Sequence, residues 1–148
     1  MAGGRQEVLV SGFEARIGCR LPEDYRRFLL AGPLRRSAEA PENPYAEILE
    51  SLYDLGGGDP EWDLAAEYGD RPEWLPAWFL PIGYAFGLVL SLGLSGPERG
   101  RVFQWGPDED APAELGASFD DFLARTRARA GEWEPAEPGA APDRGGMM

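Results

Sequence analysis

Apolar residues along this chain recur first with the spacing of a helix and later with the spacing of a strand. Tyr25, Phe28 and Leu29 fall at i, i+3 and i+4 behind Leu21-Pro22. That spacing predicts a helix with one apolar stripe, with Pro22 at its first position, where a missing N–H costs nothing. Gly32-Pro33 predicts its end, because Gly accepts a left-handed cap and Pro cannot continue a helix. Upstream, Ser11 stands three residues before Glu14, a capping-box pattern that predicts a short helix over 13–17 closed by Gly18. Tyr45, Ile48, Leu49 and Leu52 predict a third helix over 44–52, with Glu47 and Glu50 outward. Gly56-Gly57-Gly58-Asp59-Pro60 breaks it. Three glycines invite comparison with a phosphate cradle, but no Lys follows and no strand–helix frame surrounds them, so a flexible loop is the expectation.

The second half changes period. Residues 80–85 are apolar and β-compatible. Leu88, Leu90, Leu92 and Leu94 then alternate with Val89, Ser91 and Gly93, which predicts a strand with one face on a core. Ser95-Gly96-Pro97-Glu98-Arg99-Gly100 is a turn. Beyond it Val102 shares a face with Gln104, and Phe103 with Trp105, so an antiparallel hairpin is expected over 88–105. Ser118 caps a last helix whose Phe119, Phe122, Leu123 and Thr126 make its stripe, with Asp121 favouring its positive end and Arg125, Arg127 and Arg129 its negative one. Helices, then strands, then a closing helix is an α+β pattern in one domain over 13–130. Residues 1–12 and the Gly/Pro/Ala-rich 131–148 are expected to be flexible. Tyr25, Phe28, Leu29, Ile82, Leu90, Leu92, Phe103, Phe119, Phe122 and Leu123 hold the inward positions. Trp78 and Trp105 are expected in the core, whereas Trp62 and Trp74 are interface candidates.

Composition narrows the chemistry. The chain has no His, and all 14 of its basic residues are Arg. Ser–His and Cys–His nucleophile pairs, Schiff-base lysines and the usual neutral-pH base are therefore closed. A single cysteine, Cys19, allows no intrachain disulfide or cysteine-based zinc site, and a buried thiol is its expected role. No cofactor and no metal is expected. A lone Asp108-Glu109-Asp110 triplet lacks the spacing of a calcium loop. Residues 74–97 carry no charge, but their Pro and Gly content suits strands and turns rather than a membrane-spanning helix. No signal peptide is read, and a cytoplasmic location is expected.

The net charge of −12 is concentrated. Residues 39–70 contain Glu39, Glu42, Glu47, Glu50, Asp54, Asp59, Glu61, Asp63, Glu67 and Asp70 and not one base. Such a run is either a solvated face or a docking surface for a basic partner, whose encounter a one-signed patch accelerates. It would repel nucleic acid.

Several pieces taken in order resemble a domain of the SUKH superfamily, in its Smi/Knr-type branch. They are Leu21-Pro22-Glu23-Asp24-Tyr25-Arg26-Arg27-Phe28-Leu29, Tyr53-Asp54-Leu55, Leu80-Pro81-Ile82-Gly83, Gly100-Arg101-Val102-Phe103-Gln104-Trp105 and Ala117-Ser118-Phe119-Asp120-Asp121-Phe122-Leu123. The chain departs from that pattern at Ala31-Gly32-Pro33 and at the apolar Tyr84-Ala85-Phe86-Gly87. The resemblance implies a binding module with a curved antiparallel sheet, N-terminal helices and a closing C-terminal helix. It also implies a bacterial immunity protein that neutralises a basic toxin domain of nuclease or deaminase type, without catalysis. The contacts expected are Glu42, Glu47, Glu50, Asp54, Asp59, Glu61 and Asp63, with Trp62 as an anchor. The alternatives are a regulatory or scaffold protein of the same fold, or a carboxylate-only enzyme for which Asp54 and Glu73 come nearest.

Overall fold

The structure, a computed structural model, describes residues 4–33 and 42–134. Helices α1 (Gly4–Ile17), α2 (Glu23–Leu30), α3 (Pro44–Glu50) and α4 (Leu64–Gly69) precede strands β1 (Phe79–Ala85), β2 (Leu88–Gly93), β3 (Val102–Trp105) and β4 (Ala113–Gly116); α5 (Phe119–Glu132) closes the domain. The α+β expectation holds. The tail from residue 135 lies outside the described residues, but 131 and 132 are the last residues of α5 rather than part of a loose end.

The start of α1 corrects the sequence reading. Ser11 does not open it, and residues 4–12 are its first turns. Gln6, Val10 and Phe13 form a buried stripe at i, i+4 and i+7, with Gln6 the position that looked polar. Its amide Nε2 donates to Leu29 O at 3.0 Å and Leu55 O at 3.2 Å, so burial leaves it satisfied. The predicted stop holds: Gly18 adopts φ 79° and bonds back to Glu14 O.

The four strands form one antiparallel sheet in the order β1-β2-β3-β4. The hairpin over 88–105 forms as expected, with Val89 opposite Trp105 and Leu92 opposite Val102. β1 joins β2 through Phe86-Gly87, both at positive φ (56° and 77°), the geometry of a two-residue hairpin turn. β4 carries no β-branched residue and went unread.

Both faces of the sheet are covered, a correction to the single buried face. Leu80, Ile82, Leu90, Leu92 and Val102 pack on Val10, Phe13, Tyr25, Leu29, Phe119 and Phe122. On the other face Phe79, Val89 and Phe103 pack under Leu75, with Trp74 and Trp105 half-buried beside them. The expectation for Trp78 fails, since it is 49% exposed. Trp105 is only half-buried, and so is Cys19, which packs on the main core. Phe28 is likewise half-buried; the other nine expected core residues are buried.

The cover on this second face is a strap, residues 71–78, fastened by one guanidinium. Arg71 Nη2 donates to Leu75 O (3.2 Å), Pro76 O (2.6 Å) and Phe79 O (2.8 Å). Its guanidinium also lies over the Tyr68 ring, 5.7 Å from the centroid. Arg71→Ala is expected to cost roughly 2 kcal/mol, the scale of charge-assisted hydrogen bonds. Hydrogen exchange should accelerate first over 71–79; exchange unchanged there would show that the strap is held by its apolar residues alone.

Two of the stretches that carry the resemblance, residues 21–29 and 117–123, meet in space. Asp24 Oδ2 accepts from Asp120 N at 3.0 Å, capping the start of α5 from the other end of the chain. Arg27 pairs with Asp120 at 3.4 Å, and the Tyr25 and Phe28 rings lie 4.8 and 4.9 Å from that of Phe119. Ser118 Oγ accepts from Asp121 N as predicted. The Ala117 N–H and then the Arg125 guanidinium hold the Asp121 carboxyl below the usual aspartate range.

Candidate functional site

The acidic segment folds into two pieces. α3 begins at Asn43, whose Oδ1 accepts from Tyr45 N and Ala46 N and whose Nδ2 donates to Ala130 O of α5. Glu42 is exposed just ahead of it, and Glu47 and Glu50 lie half-buried on the helix. After α3 the chain crosses to the edge of β1, where Leu52 bridges Gly83 and Tyr53 N donates to Ile82 O at 2.8 Å. It then turns through the three glycines into a 3-10 turn at Pro60–Trp62 and into α4.

In this second piece the acids have local work. Asp59 Oδ1 accepts from Glu61 N at 3.0 Å, and Asp63 accepts from Ala66 N at 3.0 Å and Gly56 N at 3.4 Å. The bonds from Glu61 and Ala66 cap the 3-10 turn and α4, and the one from Gly56 ties the glycine turn to the start of α4. The signal for them was in the sequence, since Asp59 stands directly before Pro60 and Asp63 directly before Leu64, both capping positions. Glu67 accepts from Tyr53 OH at 3.3 Å; burial and the Glu67 charge push the Tyr53 hydroxyl well above its usual pKa.

Asp54 is a correction among the expected contacts. It is 5% exposed, and a Cβ added at Gly57 would stand 2.8 Å from its Oδ1. The glycine turn therefore folds closely over this carboxylate and leaves it almost no exposed surface. That close approach, together with φ 83° at Gly56 and 93° at Gly58, accounts for the glycines in place of a flexible loop. Asp54 is also joined through its backbone to Trp62 O and Leu64 N.

Of the remaining expected contacts, Asp59 and Glu61 are exposed like Glu42, and Asp63 is half-buried. Trp62 is half-buried, packs on the main core and has its ring 6.5 Å from Tyr53. It is only partly available as an anchor. Beside the glycine turn runs a groove of about 510 Å³ against α1, lined by Val8, Leu9, Phe13, Pro60 and Asp63 among others. Arg5 and Arg16 cross to its far wall, donating to Gly56 O at 3.4 Å and Ala65 O at 2.9 Å. Glu73 is exposed in the strap, while Asp54 is enclosed. Among the described residues no group of three or more His, Cys, Asp or Glu side chains could hold a metal ion. No helix among them is long and apolar enough to cross a membrane.

The description SMI1 / KNR4 family (SUKH-1) belongs to a family model that matches residues 6–125. The match runs from the first turn of α1 into α5 and takes in both halves of the α2–α5 contact. No curated protein matches the chain.

Proposed function

Because the chain belongs to the SMI1 / KNR4 family (SUKH-1), we propose that it is a non-catalytic, immunity-type protein of the bacterial cytoplasm. It binds and neutralises a cognate secreted toxin, meeting a basic toxin domain of nuclease or deaminase type through an acidic surface. The observation that carries this reading is the exposure of Glu42, Asp59 and Glu61, with Glu47, Glu50 and Asp63 half-exposed, within a 39–70 segment that has no base. A toxin that handles nucleic acid needs a basic cleft, and carboxylates can occupy it where Arg pairing offsets their desolvation. The lack of His and Lys supports binding over chemistry.

The test is capture of the partner from the native host, followed by growth assays. The captured protein expressed alone should be toxic, and co-expression with this chain should restore growth. A non-toxic partner would overturn the immunity reading in favour of a scaffold role.

The charged rim is tested separately with Glu42→Arg, Glu47→Arg and Glu61→Arg combined. The fold should persist, since none of these three carboxylates makes a hydrogen bond or ion pair among the described residues. Association with the captured toxin should slow by about tenfold or more at low salt, the scale of electrostatic steering, and should lose most of its salt dependence. Unchanged association kinetics would make the segment a solvated face.

A further inference from the structure

The strap side of the sheet carries a second concavity, of about 430 Å³, whose chemistry differs from that of the acidic segment. Trp78, Phe79, Phe103 and Trp105 line it together with Glu98 and Glu114. Trp78 leaves 49% of its surface in water although Phe79 stands beside it at 6.2 Å. A half-exposed indole in an aromatic recess is the usual form of an interface anchor.

Among the described residues that line the recess, the charged side chains are Glu98, Glu114 and Arg101, while Arg71 spends its guanidinium on the backbone carbonyls of Leu75, Pro76 and Phe79. Glu98 has no hydrogen bond or ion pair from its carboxylate among the described residues. Trp105 Nε1 donates to Glu109 O at 3.2 Å, which draws the exposed Asp108-Glu109-Asp110 loop alongside. Arg101 pairs through Nη1 with Glu114 at 3.0 Å while its Nε donates to Pro97 O at 3.2 Å. The wall thus already seats one guanidinium, between a carboxylate and a carbonyl. Glu98 brings a second carboxylate to the same wall, and Trp78 an exposed indole face.

We propose that this groove receives an arginine side chain from a basic protein partner, with the guanidinium stacked on Trp78 and paired with Glu98. Guanidinium suits both halves of the site, because it is planar, weakly hydrated, stacks on indole and presents a fork to carboxylate. A lysine ammonium keeps its water and lacks the plane. An aliphatic side chain would cover Glu98 without pairing it, and an oligoproline segment would use the rings and leave the carboxylate idle. The inference rests on the chain being a binder of a basic protein. It adds an anchor on a face that the acidic segment does not occupy.

The test uses the full chain with 15N-labelled tryptophan and an acetylated, amidated arginine-rich nonapeptide. Titration should shift the Trp78 and Trp105 indole resonances saturably. Replacing the peptide's arginines with citrulline, or Trp78→Ala or Glu98→Gln in the protein, should each weaken binding by about tenfold, within the range of a desolvated cation–π pair. Lysine peptides should bind more weakly than arginine ones. The proposal is overturned if Trp78→Ala, still folded by thermal melting, binds the arginine peptide equally well. It is also overturned if an oligoproline peptide shifts the same indoles at lower concentration. Growth protection that persists while the peptide fails to bind would remove this anchor and leave the immunity reading standing.

Discussion

Phe122→Ala is expected to lower the unfolding free energy by roughly 3–5 kcal/mol, as truncation of large core aromatics does. Phe122 is 1% exposed in the main core, with its ring 5.9 Å from that of Phe119. What sets the size of the loss is the inability of the neighbours to move in. Gly116 of β4 already approaches so closely that a Cβ there would stand 2.7 Å from Phe122 N and 2.8 Å from its Cα. The strand therefore has no slack toward the helix backbone, and the vacated ring volume stays as a cavity. Urea denaturation is the measurement, with an unchanged m-value and a lower midpoint as the expected result. An unchanged midpoint would mean that α5 does not seat its Phe122 in the interior.

The second large effect is expected at Arg26, which is buried at 8% exposure on α2. Its Nε lies 3.2 Å from Glu14 Oε2, and its Nη2 lies 3.4 Å from both Glu7 Oε1 and Ser11 Oγ. Burial works against the guanidinium charge, but the Glu14 hydrogen bonds and charge, followed by Glu7, outweigh it and hold the arginine above its ordinary pKa. Glu14 is itself nearly enclosed, with 11% of its side chain exposed, and also accepts from Leu21 N at 2.9 Å. Arg26→Ala strands that carboxylate and should cost roughly 3–5 kcal/mol, the scale for a buried pair broken on one side. The Glu7 contact adds little, because that side chain is 54% exposed. Arg26→Met combined with Glu14→Gln should recover much of the loss. Should the double variant be as unstable as Arg26→Ala, the loss would come from packing of the arginine stem and not from the stranded charge.

Reading the sequence found α2, α5 and the central hairpin because each buries a stripe or face of uniformly apolar residues. It fell short wherever a polar residue takes an inward place. Gln6 hid the first turns of α1, since its burial depends on carbonyls of Leu29 and Leu55 that are distant in sequence. The strap was illegible for the same reason: nothing local to Arg71 announces that its guanidinium will gather three carbonyls over the sheet. Trp78 was misplaced because hydrophobicity alone does not say which face of a covered sheet runs out of cover. At the candidate site the charge count was legible, but the division of labour among the acids was not. Asp59 and Asp63 cap turns, Asp54 is enclosed by glycine, and Glu42 and Glu61 are exposed with Glu47 half-buried.

The bond from Asp120 N to Asp24 spans 96 residues, and its neighbours Phe119 and Tyr25 are both fully buried. During synthesis this clasp cannot close until α5 has left the ribosome. Until then Tyr25, Leu29 and the inner face of the sheet lack the helix that covers them. Loop-closure entropy over such a span grows only slowly with length, so the delay comes from translation and not from the search itself. At about 5–20 residues per second, the nascent chain spends seconds with its core open. Chains halted before Phe119 should accordingly remain protease-sensitive on stalled ribosomes, and the domain should become resistant only when the last helix emerges.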